Sequence, residues 1–213
     1  MGARLPKQFL LMGHKSILET TIARFHTFPF ISEIVVVVPP SHVERVRRLL
    51  QRHAYAKVSV VVPGGHERQD SVWYGLNAFT VQPDEVLVHD AVRPFVDRSL
   101  VESVVRAARR YGAAVVGTPI KDTVKIEGRP GYYTRTIPRE RLWAVQTPQG
   151  FRFDLLMRAH RVARKTRFLG TDDASLVERR GIRVRIVEGK RTNIKITTPD
   201  DLVHARILQN SGL

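Results

Sequence analysis

Apolar stretches of two kinds alternate along the first half of the chain. Residues 16–28 (SILETTIARFHTF) carry apolar side chains at helical spacing behind a serine, with a glutamate three positions later. This pattern predicts a helix that begins with a capping box. Residues 31–40 (ISEIVVVVPP) form a short, almost wholly apolar run that two prolines end. A strand that is apolar on both faces is typical of the middle of a covered parallel sheet, so we expect this strand to lie there.

The same alternation continues to residue 120. Amphipathic stretches that predict helices cover residues 41–53, 68–79 and 98–112, and Gly112 closes the last of them. Short apolar runs that predict strands cover residues 57–65, 85–95 and 113–120. Strands and helices that alternate in this way indicate an α/β domain with a parallel sheet.

The alternation breaks at residue 121. Residues 122–126 (DTVKI) and 132–137 (YYTRTI) are β-like and flank the turn EGRPG, which predicts a hairpin. We interpret residues 119–143, approximately, as a β-arm that projects from a single domain of residues 1–213. The remaining predictions are a loop over the first nine residues, a helix over 152–166, an acidic loop over 169–181, a strand over 183–189 and a final helix over 199–209.

Composition places the 213-residue chain among globular proteins, because 43% of its residues are hydrophobic and 26% are charged. Cysteine is absent, which excludes disulfides, thiolate metal sites and a cysteine nucleophile. No run approaches the roughly 18 apolar residues of a membrane span, and no apolar signal-peptide core is present, so we expect a cytoplasmic protein. The net charge of +15 indicates either an anionic partner or simply an arginine-rich, solvated surface.

Candidate chemistry follows the predicted strands, since ligands of open α/β sheets bind beyond the carboxyl ends of the strands. Gly64 and Gly65 follow one strand, and Arg68 and Ser71 stand at the start of the next helix. Paired glycines permit a close approach of backbone to ligand, and a helix N-terminus offers free N–H groups to an anion. The alternative is a tight turn that needs glycine for its geometry alone.

A second candidate stretch follows the predicted strand at 85–95. Asp90 stands at its carboxyl end, where a carboxylate binds a divalent cation or a substrate hydroxyl, or else caps a turn or pairs with Arg93. We interpret the neighbouring His89 as a structural residue and not as a functional one. Lys195 lies in the stretch KRTNIKITTPDD, whose cations and hydroxyls suit a phosphate, although an exposed strand cation is the other interpretation. The sequence contains no P-loop, no complete GxGxxG, no HExxH and no GxSxG motif.

Seven stretches occur in an order that is specific to one family: PKQF, GGHERQDSV, VLVHDAVRPF, DTVK, LWAVQTPQGF, TDDASLVE and EGKRTNIKITTPDDL. From Pro6 to about Leu202 the chain resembles the 2-C-methyl-D-erythritol 4-phosphate cytidylyltransferases. The resemblance implies a Rossmann-like nucleotidyltransferase sheet with helices on both faces, a dependence on Mg²⁺, and a homodimer formed through the β-arm. It also implies transfer of CMP from CTP to methylerythritol phosphate, with release of pyrophosphate, in non-mevalonate isoprenoid biosynthesis.

The resemblance also implies roles for individual residues. Lys7 would stabilise the transition state, and Arg139 and Lys195 would position the attacking phosphate. Residues along the cytidine and triphosphate would be Gly64, Gly65, His66, Arg68 and Ser71, although the family often has an acidic or small polar residue where this chain has His66. Asp90, Ala91 and Arg93 would hold ribose and acceptor hydroxyls, with Asp90 also at the metal. Thr147 and Thr171 would complete the acceptor site, and Thr123 would reach, with Arg139, the neighbouring subunit's substrate.

Two other functions stay open at this point: a cytidylyltransferase for ribitol 5-phosphate, and a basic nucleic-acid-binding protein. The sequence also departs from the family at its start. The family begins with a strand that runs into a glycine-rich loop, and only Met1 and Gly2 here match the end of that loop. We therefore expect that the strand, and an arginine in its loop, are missing from this sequence. A chain that truly starts at Met1 is expected to fold poorly and to bind CTP weakly.

Overall fold

The fold was established from a computed structural model, which describes residues 6–211. Gly2, which matches the end of the family's glycine-rich loop, lies outside the described residues. The helices are α1 (Ile17–His26), α2 (Val43–Arg52), α3 (Arg68–Leu76), α4 (Arg98–Tyr111), α5 (Phe153–Lys165), α6 (Asp173–Glu178) and α7 (Pro199–Asn210). The strands are β1 (Leu11–Met12), β2 (Lys15–Ser16), β3 (Ile34–Val38), β4 (Val58–Pro63), β5 (Glu85–Val88), β6 (Ala113–Pro119), β7 (Val124–Glu127), β8 (Tyr133–Ile137), β9 (Trp143–Arg152) and β10 (Arg185–Glu188).

The predicted helix boundaries follow from capping chemistry that the structure contains. The Ser16 side chain accepts a hydrogen bond from the backbone N–H of Glu19, and the Glu19 carboxylate accepts one from the Ser16 N–H, which completes the capping box of α1. Gly112 ends α4 with φ of 88°, a conformation that glycine adopts readily. Thr198 caps α7 through the N–H of Asp201.

The main sheet has four strands in the order β10-β6-β9-β5 and is mixed rather than parallel. β10 runs parallel to β6, as expected, whereas β9 runs antiparallel to both β6 and β5. β9 lies where the sequence pattern breaks down into turn-forming residues. Its pairing joins residues that are far apart in the chain, such as Val86 and Phe151, and a local pattern does not carry that information.

Helices cover both faces of this sheet, as predicted. Ala113 and Val115 of β6 pack towards α5 and α6, while Ala114 and Val116 pack towards α1 and α4. All four residues are buried, because successive side chains of a strand point to opposite faces.

β3 and β4 form a separate parallel pair rather than the middle of the main sheet. A cavity of about 1120 Å³ separates this pair from β5, and Val35–Val37 of β3 and Val86–Val88 of β5 are among the residues that line it. Within residues 6–211, no strand pairs with the edges of β3 and β5 that face this cavity. The expectation of a central position for β3 is therefore not met among the described residues.

Two smaller features complete the fold. The predicted hairpin is present as β7 and β8, with exposed tyrosines at 132 and 133. The predicted acidic loop is wrong in part, because residues 173–178 form α6, which the Asp172 side chain caps by accepting from the N–H of Ser175. No helix in the described part of the chain is long and apolar enough to span a membrane.

Candidate active site

Asp90 follows the carboxyl end of β5 and stands at the centre of a group of cations. Its carboxylate accepts a hydrogen bond from Lys195 Nζ at 2.9 Å and lies 3.7 Å from Nε of both Arg68 and Arg93. We call these four residues the Asp90 cluster. The sequence placed all four among the candidates, and the structure brings them together from separate segments of the chain.

The cluster holds Asp90 in its charged form. Burial by itself would raise the pKa of the Asp90 carboxyl, since a desolvated carboxylate is disfavoured. The hydrogen bond from Lys195 and the charges of Lys195, Arg68 and Arg93 outweigh burial and leave this pKa below its usual value. Three cations therefore surround one ionised carboxylate, and the cluster as a whole is suited to bind an anion.

Two polar side chains fix the backbone of Asp90. The Asp90 N–H donates to Thr147 Oγ1 at 3.0 Å, and the Thr147 hydroxyl lies 3.2 Å from Nδ1 of His89. Because His89 Nε2 is 3.0 Å from the Arg93 carbonyl and must donate to it, Nδ1 is the acceptor for the Thr147 hydroxyl. Burial lowers the pKa of His89 to about 4, so the ring is neutral and structural, as predicted.

Asn193 lies two residues before Lys195 and connects this segment to the cluster, a role that the sequence pattern did not predict. Its buried side chain donates to the Thr147 carbonyl at 2.9 Å and to Gln146 Oε1 at 3.0 Å. Its own backbone carbonyl accepts from Arg93 Nη1 at 2.7 Å. Asn193 stands two residues before Lys195 in the stretch chosen for its cations, so the motif contained it, but nothing in the motif marked it as buried.

The glycine turn after β4 packs closely against the start of α3. A Cβ at Gly64 would lie 2.8 Å from Ser71 Oγ, and a Cβ at Gly65 would clash with the side chain of Asp70. The Gly65 N–H donates to Ser71 Oγ at 3.1 Å. These contacts support the interpretation that the two glycines are needed for a tight turn. The Ser71 hydroxyl stabilises this turn by accepting the hydrogen bond from Gly65. His66 points outward, with 93% of its side chain exposed and Glu67 beside it at 3.2 Å.

Lys7 begins a one-turn 3₁₀ helix, Lys7–Phe9, in place of the predicted loop. Phe9 is buried in a cluster of α1, α2, β3 and β4 side chains, and Ala91 packs against the same cluster. This packing places Lys7 on the side of the fold where β5 ends. Among residues 6–211, Lys7 forms no ion pair within 4 Å.

Within residues 6–211, the remaining predicted residues form no hydrogen bond or ion pair with the side chains of the Asp90 cluster. Thr171 is exposed in the loop immediately before α6. Thr123 and Arg139 are exposed on the β-arm, where Arg139 donates to the Lys121 carbonyl. The described residues contain no group of three or more His, Cys, Asp or Glu side chains able to hold a metal ion. Asp90 remains the one residue predicted as a metal ligand.

Comparison with known proteins gives one consistent result. The family model described as IspD, 2-C-methyl-D-erythritol 4-phosphate cytidylyltransferase, matches residues 1–210. A protein of that name from Pelotomaculum thermopropionicum is 44% identical over 96% of this chain and 87% of its own length. A bifunctional enzyme IspD/IspF from Desulforudis audaxviator is 47% identical over the whole chain, which spans 54% of that enzyme. The crystal structure of 2-C-methyl-D-erythritol 4-phosphate cytidylyltransferase from Thermus thermophilus superposes with a TM-score of 0.83, at 42% identity over 96% of this chain and 94% of its own.

Proposed function

This chain belongs to the 2-C-methyl-D-erythritol 4-phosphate cytidylyltransferase family, and on that premise we propose that it transfers CMP from CTP to 2-C-methyl-D-erythritol 4-phosphate. The products are 4-diphosphocytidyl-2-C-methyl-D-erythritol and pyrophosphate, and the reaction is a step of non-mevalonate isoprenoid biosynthesis. The observation that carries this proposal beyond family membership is the Asp90 cluster. It gathers three cations at the carboxyl end of a sheet strand, where two anionic substrates have to meet.

The reaction is a displacement at the α-phosphorus of CTP. An oxygen of the acceptor phosphate forms the new bond to this phosphorus, and the bond to the bridging oxygen of the pyrophosphate group breaks. Both reactants are anions, so the protein has to screen their repulsion and stabilise charge on the equatorial and leaving oxygens. We assign positioning of the attacking phosphate to Lys195 and Arg139, and stabilisation of the transition-state charge to Lys7. No covalent intermediate on the protein is required.

Mg²⁺ is a proposed cofactor of this reaction. Mg²⁺ is bound in proteins through one or two carboxylates together with substrate phosphates, and Asp90 offers one ionised carboxylate beside a site for anions. The donor set therefore fits an ion that arrives with the nucleotide, and Asp90 would be its protein ligand. When bound, the ion would neutralise charge on the phosphate oxygens. Lys195, whose Nζ lies 2.9 Å from Asp90, would keep its role of positioning the acceptor phosphate.

The β-arm supports a further proposal, that the enzyme is a homodimer. A two-stranded hairpin is marginally stable alone in water, and Tyr132 and Tyr133 at its tip are 73% and 72% exposed. A partner subunit would cover these rings and would receive Thr123 and Arg139 at its acceptor site. Sizing at micromolar concentration should give twice the 24.2 kDa mass of the chain. A monomer alone would remove the assignment of Thr123 and Arg139 to the neighbouring subunit.

We also propose that the enzyme acts in the cytoplasm, where CTP is available. The experiment that tests the proposed function is pyrophosphate release from CTP and Mg²⁺ with methylerythritol phosphate or ribitol 5-phosphate as competing acceptors. We expect release with the first acceptor and a much slower reaction with the second. Preference for ribitol 5-phosphate would correct the acceptor. If the protein bound duplex DNA with an affinity that falls as salt increases, and did not turn over CTP, the proposed function would change to nucleic-acid binding.

A further inference from the structure

A buried hydrogen-bonded pair lies next to Arg68 of the Asp90 cluster and has no part in the reaction described above. His160 on α5 and Asp173 on α6 have 0% and 1% of their side chains exposed, and Nε2 of His160 lies 3.1 Å from Oδ1 of Asp173. The second oxygen of the same carboxylate accepts from Nη1 of Arg68 at 2.7 Å. Burying a carboxylate is unfavourable unless it is paired and hydrogen-bonded, and here one partner occupies each oxygen.

Arg68 connects this buried pair to the Asp90 cluster. Its guanidinium lies between two carboxylates, with Asp173 hydrogen-bonded on the inner side and Asp90 at 3.7 Å on the outer side. A guanidinium has five N–H donors, and Arg68 uses one of them within hydrogen-bond distance of Asp173. Since 38% of the side chain is exposed, the remaining donors are available to an anion at the cluster.

Gln69, next to Arg68, connects the first turn of α3 to the loop before α6. Gln69 donates to the Phe168 carbonyl at 3.0 Å and accepts from the Gly170 N–H at 2.9 Å. The glycine turn after β4 and the loop before α6 are therefore held together at the start of α3. In the proposed function these two segments contact different substrates, the nucleotide and the acceptor.

We propose that Asp173, supported by His160, is a positioning residue for cytidylyl transfer: it holds the Arg68 guanidinium beside Asp90 so that its free N–H groups face the nucleotide's phosphate oxygens. This inference rests on the proposed function, since it assumes that a triphosphate binds at the Asp90 cluster. Asp173 itself does not touch the substrate. Its carboxylate fixes the position and orientation of a guanidinium that does.

The test is chemical rescue with free guanidinium ion. Arg68→Ala should lower kcat/KM for CTP by about 10- to 100-fold, the range expected for a lost charge-assisted hydrogen bond. Millimolar guanidinium chloride should raise kcat/KM of this variant by about tenfold, because Asp173 still offers a site for the ion. Ammonium chloride at the same ionic strength should not restore activity, since it lacks the planar set of donors.

The variant R68A/D173N shows whether Asp173 makes that site. In the double variant, guanidinium should raise kcat/KM by less than about twofold. D173N alone should lower kcat/KM by about tenfold, because an amide in place of the carboxylate presents a donor to either Arg68 or His160. Arg164→Ala is the matched control. Arg164 lies on α5 and pairs at 3.0 Å with Asp70, which stands on the same turn of α3 as Arg68. This variant should leave activity and guanidinium sensitivity unchanged.

The results separate the possible outcomes. Equal rescue of R68A and R68A/D173N, or D173N with wild-type kcat/KM, would overturn the role of Asp173. If D173N does not fold, as judged by circular dichroism, R68A alone decides, and failure of guanidinium to restore it would overturn the proposal. Absence of activity in the wild-type protein would instead contradict the proposed function, so the two failures are distinguishable.

Discussion

Replacement of Asn193 by alanine tests whether the buried polar contacts of one side chain assemble the site. Asn193 is 1% exposed, and its amide donates to the Thr147 carbonyl and to Gln146 Oε1. N193A leaves both acceptors without this donor. A buried polar atom that loses its partner costs roughly 1–3 kcal/mol, and the half-buried Gln146 contact costs less, so we expect a loss of about 2–4 kcal/mol in the free energy of unfolding.

This loss is large enough to be measured in two ways. For a domain of about 200 residues, each kcal/mol lowers the melting temperature by roughly 2–4 °C, so N193A should melt about 4–16 °C below the wild type. Because Asn193 also anchors the segment that carries Lys195, kcat/KM should fall by about tenfold even at a temperature where the variant is fully folded. Calorimetry and a pyrophosphate-release assay measure the two effects.

The matched control is Asn77→Ala, which removes the same side chain from an exposed position where it donates only to the Trp73 carbonyl. We expect a loss below about 1 kcal/mol and no change in activity. A melting temperature of N193A within about 2 °C of the wild type, together with unchanged kcat/KM, would refute the reasoning that these contacts assemble the site.

Three further predictions concern the charged residues. Lys7→Ala should reduce turnover by about two orders of magnitude or more with little change in melting temperature, and a mild effect on turnover would remove Lys7 from transition-state stabilisation. Lys195→Met should reduce turnover and raise KM for the acceptor more than KM for CTP, and an unchanged acceptor KM would contradict its assignment to the acceptor phosphate. The pKa of Asp90 lies below its unfolded value of about 3.9, so its ion pairs contribute stability that is fully present above that pH and is lost as the pH falls through the folded-state pKa. Urea titrations should therefore show a stability difference between wild type and Asp90→Asn that is constant near neutral pH and changes below about pH 4, and a difference independent of pH would exclude this linkage.

Local pattern was sufficient for the elements whose causes are local. The spacing of Ser16 and Glu19 gave the start of α1, and Gly112 gave the end of α4. The hairpin of β7 and β8 followed from its turn. Pattern failed for β9, whose strand character depends on pairing with β5 and β6, and for α6, which is six residues long and depends on the Asp172 cap and on burial of Leu176.

The candidate site divides in the same way. Asp90, Arg93 and Lys195 carry chemistry that is visible in their residue types, and Asp90 and Arg93 also in their place after β5. Asn193 and Asp173 were missed, because each acts through buried hydrogen bonds to residues that are distant in the chain, Thr147 for Asn193 and Arg68 for Asp173. Burial of a polar side chain follows from packing of the whole fold, and no local motif states it.

The central claim is that the acceptor phosphate itself attacks the α-phosphorus of CTP at the Asp90 cluster. The most direct test uses methylerythritol phosphate carrying ¹⁸O in its phosphate, with the product analysed by ³¹P NMR and mass spectrometry. We predict that all of the label stays in the product, with one labelled oxygen bridging the two phosphorus atoms, and that the pyrophosphate contains none. Label in the pyrophosphate, or CMP released without the labelled acceptor attached, would contradict the claim.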